Sequence, residues 1–318
     1  MRSAPLVLIL ACGLIGCPPA SGDSADSDPS DLPLPSYQGP RVVLVLIDGA
    51  RYTEVLGDPK AAWAPELAAL AAQGCAPGPI LNLGVTTTKY GTASVHTGIW
   101  NAWADANGEY EAHYRYPTHW EYLRSSWDLP PERVLYLLPG YDDASVWKPS
   151  YHEDYGPEFW PLIVNEGWDD ADVVDNFVAA LDSQDPVFSM VYLPSVDGAG
   201  HDGVWEGYTA AVSEADRLVG VIWRELQARP AYAGNTVLLV TSDHGRHDDE
   251  HGGFQDHGCA CDGCQQVMFL AVGPGVNPAC APTRAWEQVD IVPTLGALQG
   301  YVPDHTEGAV MEGLLLPY

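Results

Sequence analysis

The chain has 318 residues, with 14 Lys and Arg against 43 Asp and Glu and a formal net charge of -29. Such a surface repels nucleic acid and anionic lipid and attracts cations, which excludes a nucleic-acid-binding role. Hydrophobic residues make up 46% and aromatics 10%, enough for a large core and unlike a disordered chain.

In chain order, Arg2 precedes an apolar run from Leu6 to Ile15. The run is too short to cross a bilayer and reads as the core of a secretory signal. Leu14-Ile15-Gly16-Cys17 resembles a bacterial lipobox. That resemblance implies a signal over residues 1–16 and lipid on Cys17. The exported lipoprotein would then sit in the periplasm or at the outer membrane, held by that lipid alone. An ordinary signal cut near Ala20 is the alternative. Residues 17–40 are rich in Pro, Ser, Asp and Gly and read as a disordered tether. The folded catalytic domain is expected over 41–318.

Arg41–Ile47 is an apolar, β-branched run suited to a strand buried on both faces. Pro65–Gln73 reads as a helix opened by proline and stopped by Gly74. The pattern continues with a helix over Tyr90–Thr97, a strand over Arg133–Leu138, a helix over Ala171–Leu181 and a strand over Pro186–Leu193. Trp205–Ala228 is a long amphipathic helix with Ala211, Ala215, Leu218, Ile222 and Leu226 on one face. Strands over Thr236–Thr241 and Val267–Val272 and a helix over Trp286–Leu298 complete the series. This alternation predicts an α/β three-layer sandwich around a mostly parallel sheet. The Trp- and Tyr-rich stretch from Trp100 to Trp160 is expected as a small cap, lining a cleft or packing over the sheet.

An exported chain meets oxidising conditions, so its cysteines default to disulfides. Cys75, Cys259, Cys261, Cys264 and Cys280 are an odd set, which leaves one thiol over. The run Cys259-x-Cys261-x-x-Cys264 could take a structural zinc, but it is not a paired Cys-x-x-Cys, and disulfides within that surface loop are the favoured expectation.

Three strands run into aspartate: the first into Asp48-Gly49, the Pro186 strand into Asp197 and His201, and the Thr236 strand into Asp243-His244-Gly245. Ligands of open α/β sheets bind at the carboxyl ends of strands, so three carboxylates and two histidines should meet at one edge. Like charges in one crevice repel, and a bound cation removes that cost. Taken singly, each piece has an ordinary reading as a turn, a helix cap or a solvated loop.

In order and spacing, these blocks resemble the alkaline phosphatase superfamily, which includes type I phosphodiesterases and nucleotide pyrophosphatases, sulfatases and cofactor-independent phosphoglycerate mutases. The resemblance runs from Val42 to about Val276 and implies an alkaline-phosphatase-like fold. It implies two divalent metal ions, most simply Zn²⁺ with Mn²⁺ as the alternative. One would be held by Asp48, Asp243, His244 and a threonine, the other by Asp197, His201 and His257. His247 and His251 share a loop with His257 and are the alternatives to it. Three threonines, Thr86, Thr87 and Thr88, compete as nucleophile; the family places it nine residues before the Thr of Thr97-Gly98, which selects Thr88.

The activity implied is metal-dependent hydrolysis of a small-molecule phosphate ester, mono- or diester, through a phosphothreonine. Phosphodiesterase relatives place an Asn three residues after the nucleophile, where this chain has Gly91. Lys89, Asn82, Arg51 and Arg246 are the replacement candidates for binding substrate. Sulfatases modify a Cys or Ser in a Cys/Ser-x-Pro-x-Arg pattern, and Thr88-Lys89-Tyr90-Gly91-Thr92 lacks all of its elements. Sulfuric ester hydrolysis and a non-catalytic metal-binding lipoprotein are the alternatives.

Overall fold

The computed structural model describes residues 36–103, 113–140 and 148–317. The expected signal, Cys17 and nearly all of the tether lie outside the described residues. Among those described, no helix is long and apolar enough to cross a membrane.

Six strands form the main sheet: β1 (Arg41–Ile47), β3 (Val134–Leu138), β4 (Leu162–Asn165), β5 (Phe188–Leu193), β6 (Thr236–Thr241) and β8 (Phe269–Val272), in spatial order β4-β3-β5-β1-β6-β8. All pairings are parallel except that of β6 with the edge strand β8. A separate two-stranded ribbon pairs β2 (Ile80–Leu81) with β7 (Gln266–Val267), so the single strand expected over Val267–Val272 is broken in two.

Side chains of β1 alternate between two apolar layers, as the two-residue period requires. Val42, Leu44 and Leu46 pack with residues of α2 (Thr88–Thr97), α3 (His119–Trp127) and α8 (Ile291–Gln299). Val43, Val45 and Ile47 pack with α1 (Pro65–Ala71), α4 (Asp170–Ser183) and α6 (Trp205–Ala228). Each such side chain contributes roughly 1.5–3 kcal/mol on burial, so the central strands make a rigid floor. Two short helices, α5 (Ser195–His201) and α7 (Asp262–Gln265), complete the set.

The described part of the aromatic stretch follows the second expectation and packs over the sheet. Helix α3 opens with a capping box from Thr118 and Glu121 and buries Trp120, Tyr122 and Leu123 in the core against the sheet. The cysteine expectation changes: Cys75 bonds to Cys280 across 205 residues, while Cys259, Cys261 and Cys264 remain free thiols.

Candidate functional site

Strands β5 and β6 flank β1 in register, with Ile47 beside Leu193 and Leu46 beside Thr241. Residues just past these positions therefore leave the sheet at one edge. Asp48 follows β1 directly, Asp243 follows β6 after one serine, and Asp197 lies in α5, which starts two residues beyond β5. Gly49 makes the exit from β1 possible: its φ is +62°, and an added Cβ would stand 2.5 Å from an Asp197 oxygen.

Asp48 and Asp243 are fully enclosed, and Asp197 is mostly so. The Oδ2 of Asp48 accepts a short hydrogen bond from the Tyr192 hydroxyl, while its Oδ1 is buried without a hydrogen-bond partner. His244 Nε2 is 3.3 Å from that orphaned oxygen and 3.5 Å from Asp243 Oδ2. Its Nδ1 faces Gly245 O at 2.8 Å, the arrangement that turns Nε2 inward. Burial pulls the His244 pKa down, but Asp243, Asp48 and Asp197 outweigh it and raise it to about 10. Burial and the Asp48 charge push Asp243 well above the usual carboxylate range. The cluster therefore calls for positive charge at its centre.

On the other side, Asp197 Oδ2 is 3.2 Å from His201 Nε2, four residues on along α5. His257 Nε2 is 3.5 Å from Asp197 Oδ1 and only 3.0 Å from His201 Nε2. His257 Nδ1 faces Thr86 O at 3.1 Å, again leaving Nε2 directed inward. Two ring nitrogens at this distance need a proton or a cation between them. At this edge of the sheet two groups could hold a divalent ion, Asp48/Asp197/His244 and Asp197/His201/His257, each with ligand atoms mutually within 4.8 Å. Imidazole and carboxylate donors suit zinc and manganese alike. Together with the orphaned oxygen of Asp48, this donor set fits a metal pair.

The structure brings together all six expected ligand residues, and it is His257 rather than His247 or His251 that stands beside His201. Asp197 sits between the two sets, within reach of His244 as well as of His201 and His257. Helix α2 begins two residues earlier than expected, placing Thr88 at its first position. Thr88 Oγ1 lies 3.3 Å from His244 Nε2, whereas the Thr86 hydroxyl is engaged by Cys259 O at 2.8 Å. The first bonds of the helix run from Tyr90 and Gly91 to Thr87 O, so the N–H groups of Thr88 and Lys89 precede the ladder.

The expected substrate contacts fare differently. Arg246 is wholly buried, and its guanidinium donates to Asp197, Phe254 O and Gln255 O. It anchors a site carboxylate instead of facing a ligand. Asn82 is equally enclosed, donating to Asp243 O at 2.8 Å and accepting from Gly84 N at 2.9 Å. Arg51 is paired with Glu54 and Asp249. Lys89 is exposed, with its ammonium 5.0 Å above the Trp103 ring. Sequence reasoning missed Tyr192 and also Gln288, which donates to Ser242 O and Asp243 O at 3.0 and 2.7 Å. For Tyr192 a weak signal existed: its hydroxyl is unusual in the apolar run of β5.

Comparison with known proteins places this geometry in a family. Residues 42–257 match the family model for type I phosphodiesterase / nucleotide pyrophosphatase. A sulfatase of Formosa agariphila is 32% identical over 112 residues, covering 34% of this chain and 22% of the sulfatase. A 2,3-bisphosphoglycerate-independent phosphoglycerate mutase of Thermomicrobium roseum is 29% identical over 131 residues, 41% of this chain and 24% of the mutase. The chain thus aligns with about a quarter of the length of these curated relatives. Among solved structures, the 2-O GAG sulfatase BT1596 superposes with a TM-score of 0.69 at 14% identity, covering 86% of this chain and 73% of that one. An inactive threonine-to-alanine variant of murine ectonucleotide pyrophosphatase / phosphodiesterase 5, in complex with AMP, gives 0.63 at 15% identity, covering 87% of this chain and 100% of that one. These structural matches establish the alkaline-phosphatase-like fold, and by the family match the chain belongs to the type I phosphodiesterase / nucleotide pyrophosphatase family of the alkaline phosphatase superfamily.

Proposed function

We propose that the chain is a hydrolase of phosphate esters with Thr88 as nucleophile. The observation that carries this reading is the position of the Thr88 hydroxyl, at the first turn of a helix and 3.3 Å from His244, beside two overlapping ligand groups. Asp48, Asp243 and His244 would hold one divalent ion with Thr88, and Asp197, His201 and His257 the other. A bound pair of such ions, zinc or manganese, supplies Lewis acidity, lowering the pKa of a hydroxyl and neutralising charge on the phosphoryl group.

Thr88 Oγ forms a bond to phosphorus as the bond to the leaving alcohol breaks, giving a phosphothreonine that water then cleaves. The N–H groups of Thr88 and Lys89 face the anion from the helix start, where the dipole favours it. Lys89 is the one cation among the expected substrate contacts left exposed for a phosphate oxygen. That an AMP-bound relative was inactivated by replacing threonine with alanine supports a threonine in this role.

The sulfatase neighbours favour a second reading, sulfuric ester hydrolysis, which Thr88 disfavours because it is neither of the residues sulfatases modify. Purified protein loaded with zinc or manganese should turn over p-nitrophenyl phosphate or its diester in preference to the sulfate. Thr88→Ala should lower that turnover at least a thousandfold. Turnover surviving in Thr88→Ala removes the nucleophile assignment, and preference for the sulfate selects the second reading. No turnover by metal-loaded protein would point to a non-catalytic metal-binding lipoprotein. We further propose export with lipid on Cys17, which mass analysis of the mature N-terminus tests.

A further inference from the structure

A second group of soft donors lies on the segment that carries His257, outside the proposed Thr88 centre. Cys259 and Cys264 have their sulfurs 3.5 Å apart, and His247 offers a ring nitrogen within 4.8 Å of both. Cys261 is buried two residues from Cys259, and its backbone N–H donates to the Cys259 sulfur at 3.2 Å. The Cys261 thiol in turn interacts with those of Cys259 and Cys264.

We propose that His247, Cys259 and Cys264 hold a zinc ion that ties this loop together. Tetrahedral zinc with Zn–S bonds of about 2.3 Å separates its sulfurs by about 3.8 Å, close to the spacing found and far from a disulfide's. One zinc ion engages both sulfurs as thiolates, their protons leaving on binding. Cys75 and Cys280 are already bonded to each other, so Cys259, Cys261 and Cys264 are the thiols left among the described residues. An N–H bond to a ligating sulfur is the kind of support that metal thiolates receive. A surface pocket of about 510 Å³ reaches the Cys259 side of the group.

The position gives the site a purpose. Gly245 N donates to Cys264 O and His247 N to Asp256 O, so the two ends of the segment already meet. A metal joining His247 to Cys264 closes the loop between them. That loop carries His257, and Cys259 O accepts from Thr86, two residues before Thr88. The clip therefore holds a metal-facing histidine and the start of α2 in place. This inference stands whether or not Thr88 is a nucleophile.

Cobalt(II) reports directly on the proposal. Full-length protein loaded with cobalt should show the intense near-ultraviolet sulfur-to-cobalt charge-transfer band, which carboxylate and imidazole sites lack. Cys259→Ser/Cys264→Ser should lose that band and one equivalent of zinc per chain. If that variant fails to fold, alkylation of the wild type decides: the thiols of Cys259 and Cys264 should label at least tenfold faster after chelation. A cobalt-loaded wild type without the band overturns the proposal, as does labelling indifferent to chelator. So does peptide mapping that finds Cys259 joined to Cys264.

Discussion

Replacing Gly91 with alanine tests how closely α2, which carries the proposed nucleophile, is set against the end of β6 that carries Asp243. Gly91 lies in the first turn and a half of α2, and a Cβ there would come well inside 3.0 Å of the Asp243 carbonyl oxygen, a distance real Cβ atoms do not reach. Two effects oppose each other. Alanine is the better helix former by about 1 kcal/mol. The collision is with backbone, which cannot rotate aside, and overpacking of this kind costs up to about 3 kcal/mol. The net expectation is a loss of about 2 kcal/mol, or roughly 5 °C in Tm for a domain of this size. Relief requires α2 and the Asp243 backbone to move apart, which carries Thr88 away from His244. A misplacement of about 1 Å at a reacting group costs on the order of a hundredfold in rate. Gly91→Asn, which restores the residue of phosphodiesterase relatives, should do no better, because the collision begins at Cβ. The control is Gly207→Ala in the exposed first turn of α6, where a Cβ meets only Val204 at 3.8 Å and should stabilise by about 0.5–1 kcal/mol. Differential scanning calorimetry and p-nitrophenyl ester turnover read both quantities. A Gly91→Ala protein with wild-type Tm and turnover would refute the reasoning.

Tyr192→Phe removes the donor to Asp48 Oδ2 and should weaken metal binding about 10- to 100-fold, read by titration of metal-free protein with zinc. Glu121 accepts from Thr118 and Ser150, yet burial raises its pKa from 4.5 to about 7. The folded state therefore holds a proton that the unfolded chain releases, and this contribution is complete below pH 4.5 and lost as pH rises through 7. On the order of 3 kcal/mol is involved, so Glu121→Gln should flatten the fall in urea-unfolding free energy across that window. Cys75→Ser opens the bond across 205 residues and should cost up to about 5 kcal/mol, seen as a lower urea midpoint with Cys280 free.

What was legible in the sequence was the part carried by apolar periodicity and by residues at strand ends. The runs of β1, β5 and β6 are hydrophobic because both faces are covered, so Asp48, Asp197 and Asp243 stood out as the first charges after them. The pairing of Cys75 with Cys280 left no local trace, since 205 residues intervene. Helix α3 was hidden because its core face is aromatic, Trp120 and Tyr122, a composition that fits a cleft lining as well as packing over the sheet. Arg246 was read as a substrate contact because a basic residue next to a metal motif suggests an anion. Only the fold reveals that Phe254 O and Gln255 O close around it.

The carboxylates of the site share one construction. Asp48 has one oxygen fixed by Tyr192 and the other unpartnered. Asp197 has one fixed by Arg246 and the other turned to His201. Asp243 accepts from Gly49 N and His244 N through Oδ1, at 3.1 and 2.9 Å, and presents Oδ2 to His244 Nε2. The anchoring groups come from a neighbouring strand, from the loop after β6 and from the turn after β1. Each aspartate is therefore oriented by folding rather than by an arriving ion. An isolated peptide carrying any one of these aspartates has no such anchor. Metal affinity should accordingly track the anchors Tyr192 and Arg246 as well as the ligands, which is the behaviour expected where outer hydrogen bonds orient inner donors.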